Sequence, residues 1–163
     1  MFGSVNDLPL HPLATHAAVV LIPLAGLLGV LFAVPRTRAW ASVPLPVVSV
    51  LAAVATFVSV QSGEALQRVG GVGAAGLGGP VAELVDQHAR LAYQLHVLVW
   101  VYAGVALAAA VLRRRGEGRP VTALAAVLVL GAVLLGLQTY RVGEAGARAV
   151  WNPAGGVDYS TGG

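Results

Sequence analysis

Four stretches of this chain contain no Asp, Glu, Lys or Arg: residues 8–35, 39–63, 91–112 and 120–140. Each exceeds the roughly 20 residues that a helix needs to cross the hydrocarbon layer of a bilayer. Hydrophobic residues make up 57% of the chain and charged residues 10%, far from the balance of a soluble domain. The fold class that follows is an all-α membrane protein, four transmembrane helices in an up-down bundle, with the lipid bilayer as its main partner. Apolar pattern and breakers predict helices over about 12–34, 44–67, 81–113 and 120–150. Pro12, Pro44 and Pro120 stand at three of the four starts, where a missing amide donor costs little. Pro23 falls inside the first helix and is expected to bend it. Residues 1–163 form one domain, with a loose tail over 152–163 that is rich in Gly and polar residues.

The two halves repeat. His16 and His96 are 80 positions apart, and Gly63-Glu64-Ala65-Leu66-Gln67-Arg68 recurs 80 positions on as Gly143-Glu144-Ala145-Gly146-Ala147-Arg148. The bundle is therefore expected to be two copies of a helical hairpin, about 8–68 and 88–148. In that register His16 matches His96, Glu64 matches Glu144 and Arg68 matches Arg148.

Orientation follows from the connections. Arg36 and Arg38 lie in the first, and Arg113, Arg114, Arg115 and Arg119 in the third. Six of the ten basic residues on two short loops place those loops in the cytoplasm. Both termini are then extracytoplasmic. The first apolar run is long and lacks a basic leader, so it reads as a spanning helix and not as a cleaved signal peptide. This topology delivers His11, His16, His88 and His96, together with Glu64, Arg68, Glu144 and Arg148, to the outer side.

Ionisable groups at membrane depth are costly and carry a functional hypothesis by default. In an up-down bundle the first and third helices are diagonal partners. A planar group ligated on both faces by imidazole suits that gap, and haem iron accepts His axial ligands. One reading is therefore haem b held by His16 and His96, with Arg68 and Arg148 at the propionates. A second is a bare transition-metal site drawing on His16, His96, His11, His88, Glu64 and Glu144. A third is structural: interfacial histidines, and Glu64–Arg68 and Glu144–Arg148 as ordinary i,i+4 helix ion pairs. His11 precedes Pro12 and also reads as a helix-start residue. His11 and His88 could form an outer second pair, with His88 eight residues from His96 on roughly the same face.

Other chemistries are set aside. The chain has no cysteine, which removes disulfides and thiolate metal sites. Its arginines flank apolar runs and build no separate basic surface, which argues against nucleic acid. Gly71-Val72-Gly73-Ala74-Ala75-Gly76 matches a dinucleotide fingerprint but lacks the strand such a loop follows, so 69–80 reads as a flexible connection. Gly26, Gly29, Gly131 and Gly136 read as close-packing positions. No serine or aspartate stands where a hydrolase would need it beside a histidine.

The opening Leu8-Pro9-Leu10-His11-Pro12-Leu13-Ala14-Thr15-His16 resembles the L-P-x-H-P-x-x-V-H start of bacterial membrane proteins classed as domain of unknown function 2231. His88 and His96, Gly63-Glu64 and the closing Gly143–Trp151 segment are also similar to that family, over roughly residues 7–151. The chain departs from the common form after His16, where Ala17-Ala18 replace a frequent Phe-Pro. The resemblance implies a four-helix inner-membrane protein, and similarity to small b-type cytochromes implies haem or redox association. On these grounds the expected function is electron transfer at the extracytoplasmic face, exchanging with a quinol or an external redox partner. The alternatives are a non-catalytic membrane subunit or anchor in an oligomer or larger complex, and a His/Glu metal-binding protein. An accessory or electron-transfer role suits the residues better than stand-alone catalysis.

Overall fold

The computed structural model describes residues 4–5, 8–70, 80–152 and 156. A short antiparallel pair, β1 (Ser4–Val5) and β2 (Leu8–Pro9), precedes five helices: α1 (Leu10–Ala33), α2 (Pro35–Ala41), α3 (Pro44–Gly70), α4 (Pro80–Arg115) and α5 (Arg119–Trp151). Four of them, α1, α3, α4 and α5, are long and apolar enough to cross a membrane. The spans match the sequence expectation to within three residues at each end. Pro44 opens α3, Pro120 is the second residue of α5 and Pro12 the third of α1. The Gly-rich segment 71–79 and most of the tail lie outside the described residues.

The same spacing builds all four long helices into one core. Buried positions are Ala14, Ala18, Ile22, Ala25, Gly29 and Phe32 on α1, and Leu45, Ser49, Ala52 and Thr56 on α3. On α4 they are Leu95, Val99, Tyr102, Ala106 and Ala109, and on α5 Val121, Ala125, Leu128 and Leu135. Steps of three and four residues put these on one stripe per helix, the seam of an up-down bundle. Large apolar side chains such as Val20, Leu27, Val101, Leu130 and Leu137 point outward. Lipid tails are as apolar as leucine, so small residues and close approach hold such helices together. Helix α1 packs against α3 and α5, and α4 packs against the same two. Thus α1 lies diagonal to α4, as expected for an up-down order.

Tyr102 bridges the diagonal. Its hydroxyl donates to the Ala25 carbonyl at 3.2 Å. Room for the ring comes from two glycines: a Cβ at Gly29 would stand 1.9 Å from the Tyr102 hydroxyl, and one at Gly131 2.8 Å from the ring. Gly26 faces Ala132, whereas nothing stands within 4 Å of a Cβ at Gly136. Three of the four glycines expected to allow close packing therefore do so. Gly29→Ala should destabilise the bundle by about 1–3 kcal/mol through overpacking. Tyr102→Phe removes the clashing oxygen and should restore most of that loss in the double variant. Thermal unfolding in detergent checks both; an unshifted Gly29→Ala midpoint would contradict the packing.

The first connection differs from expectation. It contains a seven-residue helix, α2, started by Pro35. Arg38 on α2 is buried, 8% exposed, and not a free surface charge. Its Nε donates to the Phe32 carbonyl at 3.0 Å and its Nη2 to the Ala33 carbonyl at 3.1 Å. Those carbonyls close α1, where the helix leaves them without internal partners. Its Nη1 pairs with Glu117 at 2.8 Å, and the second Glu117 oxygen pairs with Arg113 at 2.9 Å. One acidic residue thus clasps the arginine ends of both hairpins.

Candidate functional site

The four histidines fall into different surroundings, and helix geometry explains which face each other. At about 100° per residue, the five positions between His11 and His16 turn α1 by roughly 140°. His11 continues the buried stripe one step before Ala14, while His16 stands exposed on the opposite side. His88 lies one heptad step before the buried Leu95 stripe position on α4. His96 is eight positions on, about 80° around the helix, so it does not share the face of His88 as the sequence suggested.

His11 and His88 make the same contact in their separate hairpins. The His11 Nδ1–H donates to the Ser59 carbonyl of α3 at 2.8 Å. The His88 Nδ1–H donates to the Val142 carbonyl of α5 at 3.0 Å. Four residues after each acceptor stands a glycine against the ring. A Cβ at Gly63 would lie 3.0 Å from the His11 Nδ1, and one at Gly146 3.1 Å from the His88 Nδ1. The equivalences are His11 with His88, Ser59 with Val142 and Gly63 with Gly146. The offset therefore differs between the leading and the returning helices, and neither is 80. In the expected register Gly63 would match Gly143, yet nothing stands within 4 Å of a Cβ at Gly143.

A carbonyl only accepts, so each Nδ1 carries the proton and each Nε2 keeps a free lone pair while the ring is neutral. That tautomer is the one found in metal-bound histidines, whose second nitrogen is commonly held by a backbone carbonyl or a carboxylate. Thr15 ties the same turn of α1 to α3: its hydroxyl donates to the His11 carbonyl at 2.8 Å and lies 3.0 Å from the Ser59 hydroxyl.

His16 donates through Nδ1 to the Pro12 carbonyl of its own helix at 2.6 Å. His96 sits among Phe57, Tyr93 and Trp100, with ring centroids 6.0–6.3 Å away. The ring of His96 thus faces α3, while that of His16 faces out from α1. Glu64 pairs with Arg68 at 3.1 Å and Glu144 with Arg148 at 2.6 Å, each within one helix turn. Both pairs belong to the histidine end of the bundle, since Glu64 follows Gly63 and Glu144 precedes Gly146. Among the described residues, no three His, Cys, Asp or Glu side chains converge as a metal-binding group.

Sequence reasoning did not find the two carbonyl acceptors or the role of Gly146. The signal was available in the buried stripes, which reach His11, Ser59, Gly63, His88, Val142 and Gly146 when continued toward the histidine end by steps of three and four.

A family model described as predicted membrane protein (DUF2231) matches residues 7–159, nearly the whole chain. The chain belongs to this family. DUF2231 membership agrees with the four apolar spans and with the opening His-Pro motif. No curated protein and no solved structure matches the chain. DUF2231 carries no described activity, so the chemistry rests on the residues themselves.

Proposed function

We propose that this DUF2231 protein is a small membrane cytochrome that holds haem b between His11 and His88 and passes electrons at the histidine end of the bundle. The observation that carries this reading is the pair of imidazoles on diagonal helices, each with Nδ1 tied to a carbonyl and, among the described residues, no hydrogen bond at Nε2. A bare zinc or copper site draws on about three or four protein ligands. A haem draws on two protein nitrogens, and His11 and His88 would supply them. Gly63 and Gly146 support the fit, because a Cβ at either would press on the histidine ring at 3.0–3.1 Å and make it give by a few tenths of an ångström. Arg68 and Arg148 supply cationic partners for propionates at the rim, exchanging their helix glutamates for them. When bound, the iron supplies one-electron exchange between its ferric and ferrous states.

The chain's own residues do the rest. His11 and His88 fix ligand orientation and depth, and the apolar stripe below them keeps water from the interior. The arginine end, with Arg36, Arg114, Arg115 and Arg119 exposed, is assigned to the cytoplasm and both termini to the opposite side. A cofactor near one surface leaves much of the bilayer uncrossed, so exchange with a partner in or outside the membrane fits better than transfer across it.

Purified protein from haem-supplied cells should contain one haem per chain by the pyridine haemochrome assay. A colourless protein that stays colourless when haem is added would overturn the reading, and metal bound in its place would favour the bare-metal alternative.

A further inference from the structure

Of the four histidines, three have Nδ1 fixed by a carbonyl: His11 by Ser59, His16 by Pro12 and His88 by Val142. His96 is the exception. Its Nδ1 is buried with no hydrogen-bond partner among the described residues. An unpaired polar atom in an apolar layer is costly, and the cost is removed only by a partner. Three aromatic rings stand around this one. Trp100 meets it edge-on at 6.2 Å and 85°, while Tyr93 and Phe57 stand at 6.3 and 6.0 Å. Tyr93, Trp100 and Phe57 are themselves exposed on the outside of the bundle, where lipid lies.

We infer that His96, Phe57, Tyr93 and Trp100 form a lipid-facing docking site for the ring of a membrane quinone or quinol. A quinone is flat, dissolved in the bilayer and edged by oxygens, so it can meet exposed aromatic side chains and supply the partner that the His96 Nδ1 lacks among the described residues. Its ring stacks on aromatic faces, and its oxygen pairs with the imidazole. Among the described residues no hydrogen bond holds the His96 ring, so a half-turn about its Cβ–Cγ bond can exchange Nδ1 with Cδ2 and bring the nitrogen to the other edge of the ring. The site lies eight residues from His88 along α4, about 12 Å at 1.5 Å per residue. It names the lipid-borne partner of the proposed cytochrome, and it rests on that reading for the reason a redox-active ring docks there.

Tryptophan fluorescence tests the site whether or not haem is bound. In phosphatidylcholine nanodiscs, Trp40→Phe with Trp151→Phe leaves Trp100 as the only tryptophan. Titration with decylubiquinone should quench Trp100 saturably, while dodecylbenzene, which has a ring but no oxygens, should not. His96→Leu should weaken quinone binding about ten-fold, the scale of one hydrogen bond in an apolar setting. Phe57→Leu should weaken it while leaving the bundle's thermal midpoint in place. Quenching that rises linearly with quinone, or that saturates identically in His96→Leu, would overturn the site and leave Tyr93 and Trp100 as interfacial anchors. Saturable, His96-dependent quenching in a protein without haem would keep the site and sink the cytochrome reading alone.

Discussion

His11→Leu and His88→Leu should each lower haem content by more than roughly ten-fold, the lower end of what is seen when even an outer-shell partner of a metal ligand is lost. Both variants remove one of two axial nitrogens, so their effects should be alike, and the double variant should be little worse than either. His16→Leu and His96→Leu should retain full haem content, because one ring faces outward and the other packs against Phe57. Gly63→Ala and Gly146→Ala should fall between. An added Cβ would come 3.0–3.1 Å from its histidine, and the ring must give by a few tenths of an ångström to accept it. If a leucine at either position merely unfolds the chain, the glycine series still reads the site. Added imidazole should also restore six-coordination to His88→Gly. Arg68→Ala and Arg148→Ala should weaken haem retention without changing the axial ligands.

The largest effect on stability is expected at the other end of the bundle. Arg38→Leu should cost about 3 kcal/mol, measured as denaturant unfolding in mild detergent. Three terms contribute. The Phe32 and Ala33 carbonyls lose their donor, at roughly 1–3 kcal/mol for an orphaned buried group. Glu117 loses its nearer partner, a smaller term because that carboxylate is 53% exposed and keeps Arg113. The guanidinium also leaves the Phe32 ring, 5.8 Å away. Glu117→Gln should cost about 1 kcal/mol or less, since Arg38 retains its two carbonyls. An Arg38→Leu variant as stable as the parent would show that the clasp contributes nothing to folding.

The membrane-spanning framework was legible because bilayer thickness converts directly into run length, and the charge-free segments are unambiguous. Helix starts followed from Pro12, Pro44 and Pro120. The short helix α2 was hidden because seven residues between two spans leave no periodic signal, and Arg38 looked like loop charge until its carbonyl acceptors were known. The matching carbonyl contacts of His11 and His88 were partly legible. A repeat read as identical letters at a fixed offset favoured His16 with His96. Contacts across a bundle depend instead on helix face, and the two hairpins shift in opposite directions: the leading helices are closer in sequence than 80 and the returning helices farther. Extending the buried stripe toward the helix ends selects His11 and His88. Backbone acceptors such as the Ser59 and Val142 carbonyls leave no trace in residue identity, so no motif could name them.

Near-infrared magnetic circular dichroism of the ferric protein tests the central claim most directly, because its charge-transfer band reports the identity of both axial ligands. The parent chain should show a bis-imidazole signature that is lost in His11→Leu and in His88→Leu and kept in His16→Leu and His96→Leu. No haem signal, or a bis-imidazole band that survives loss of His11 or His88 and disappears with His16 or His96, would contradict it.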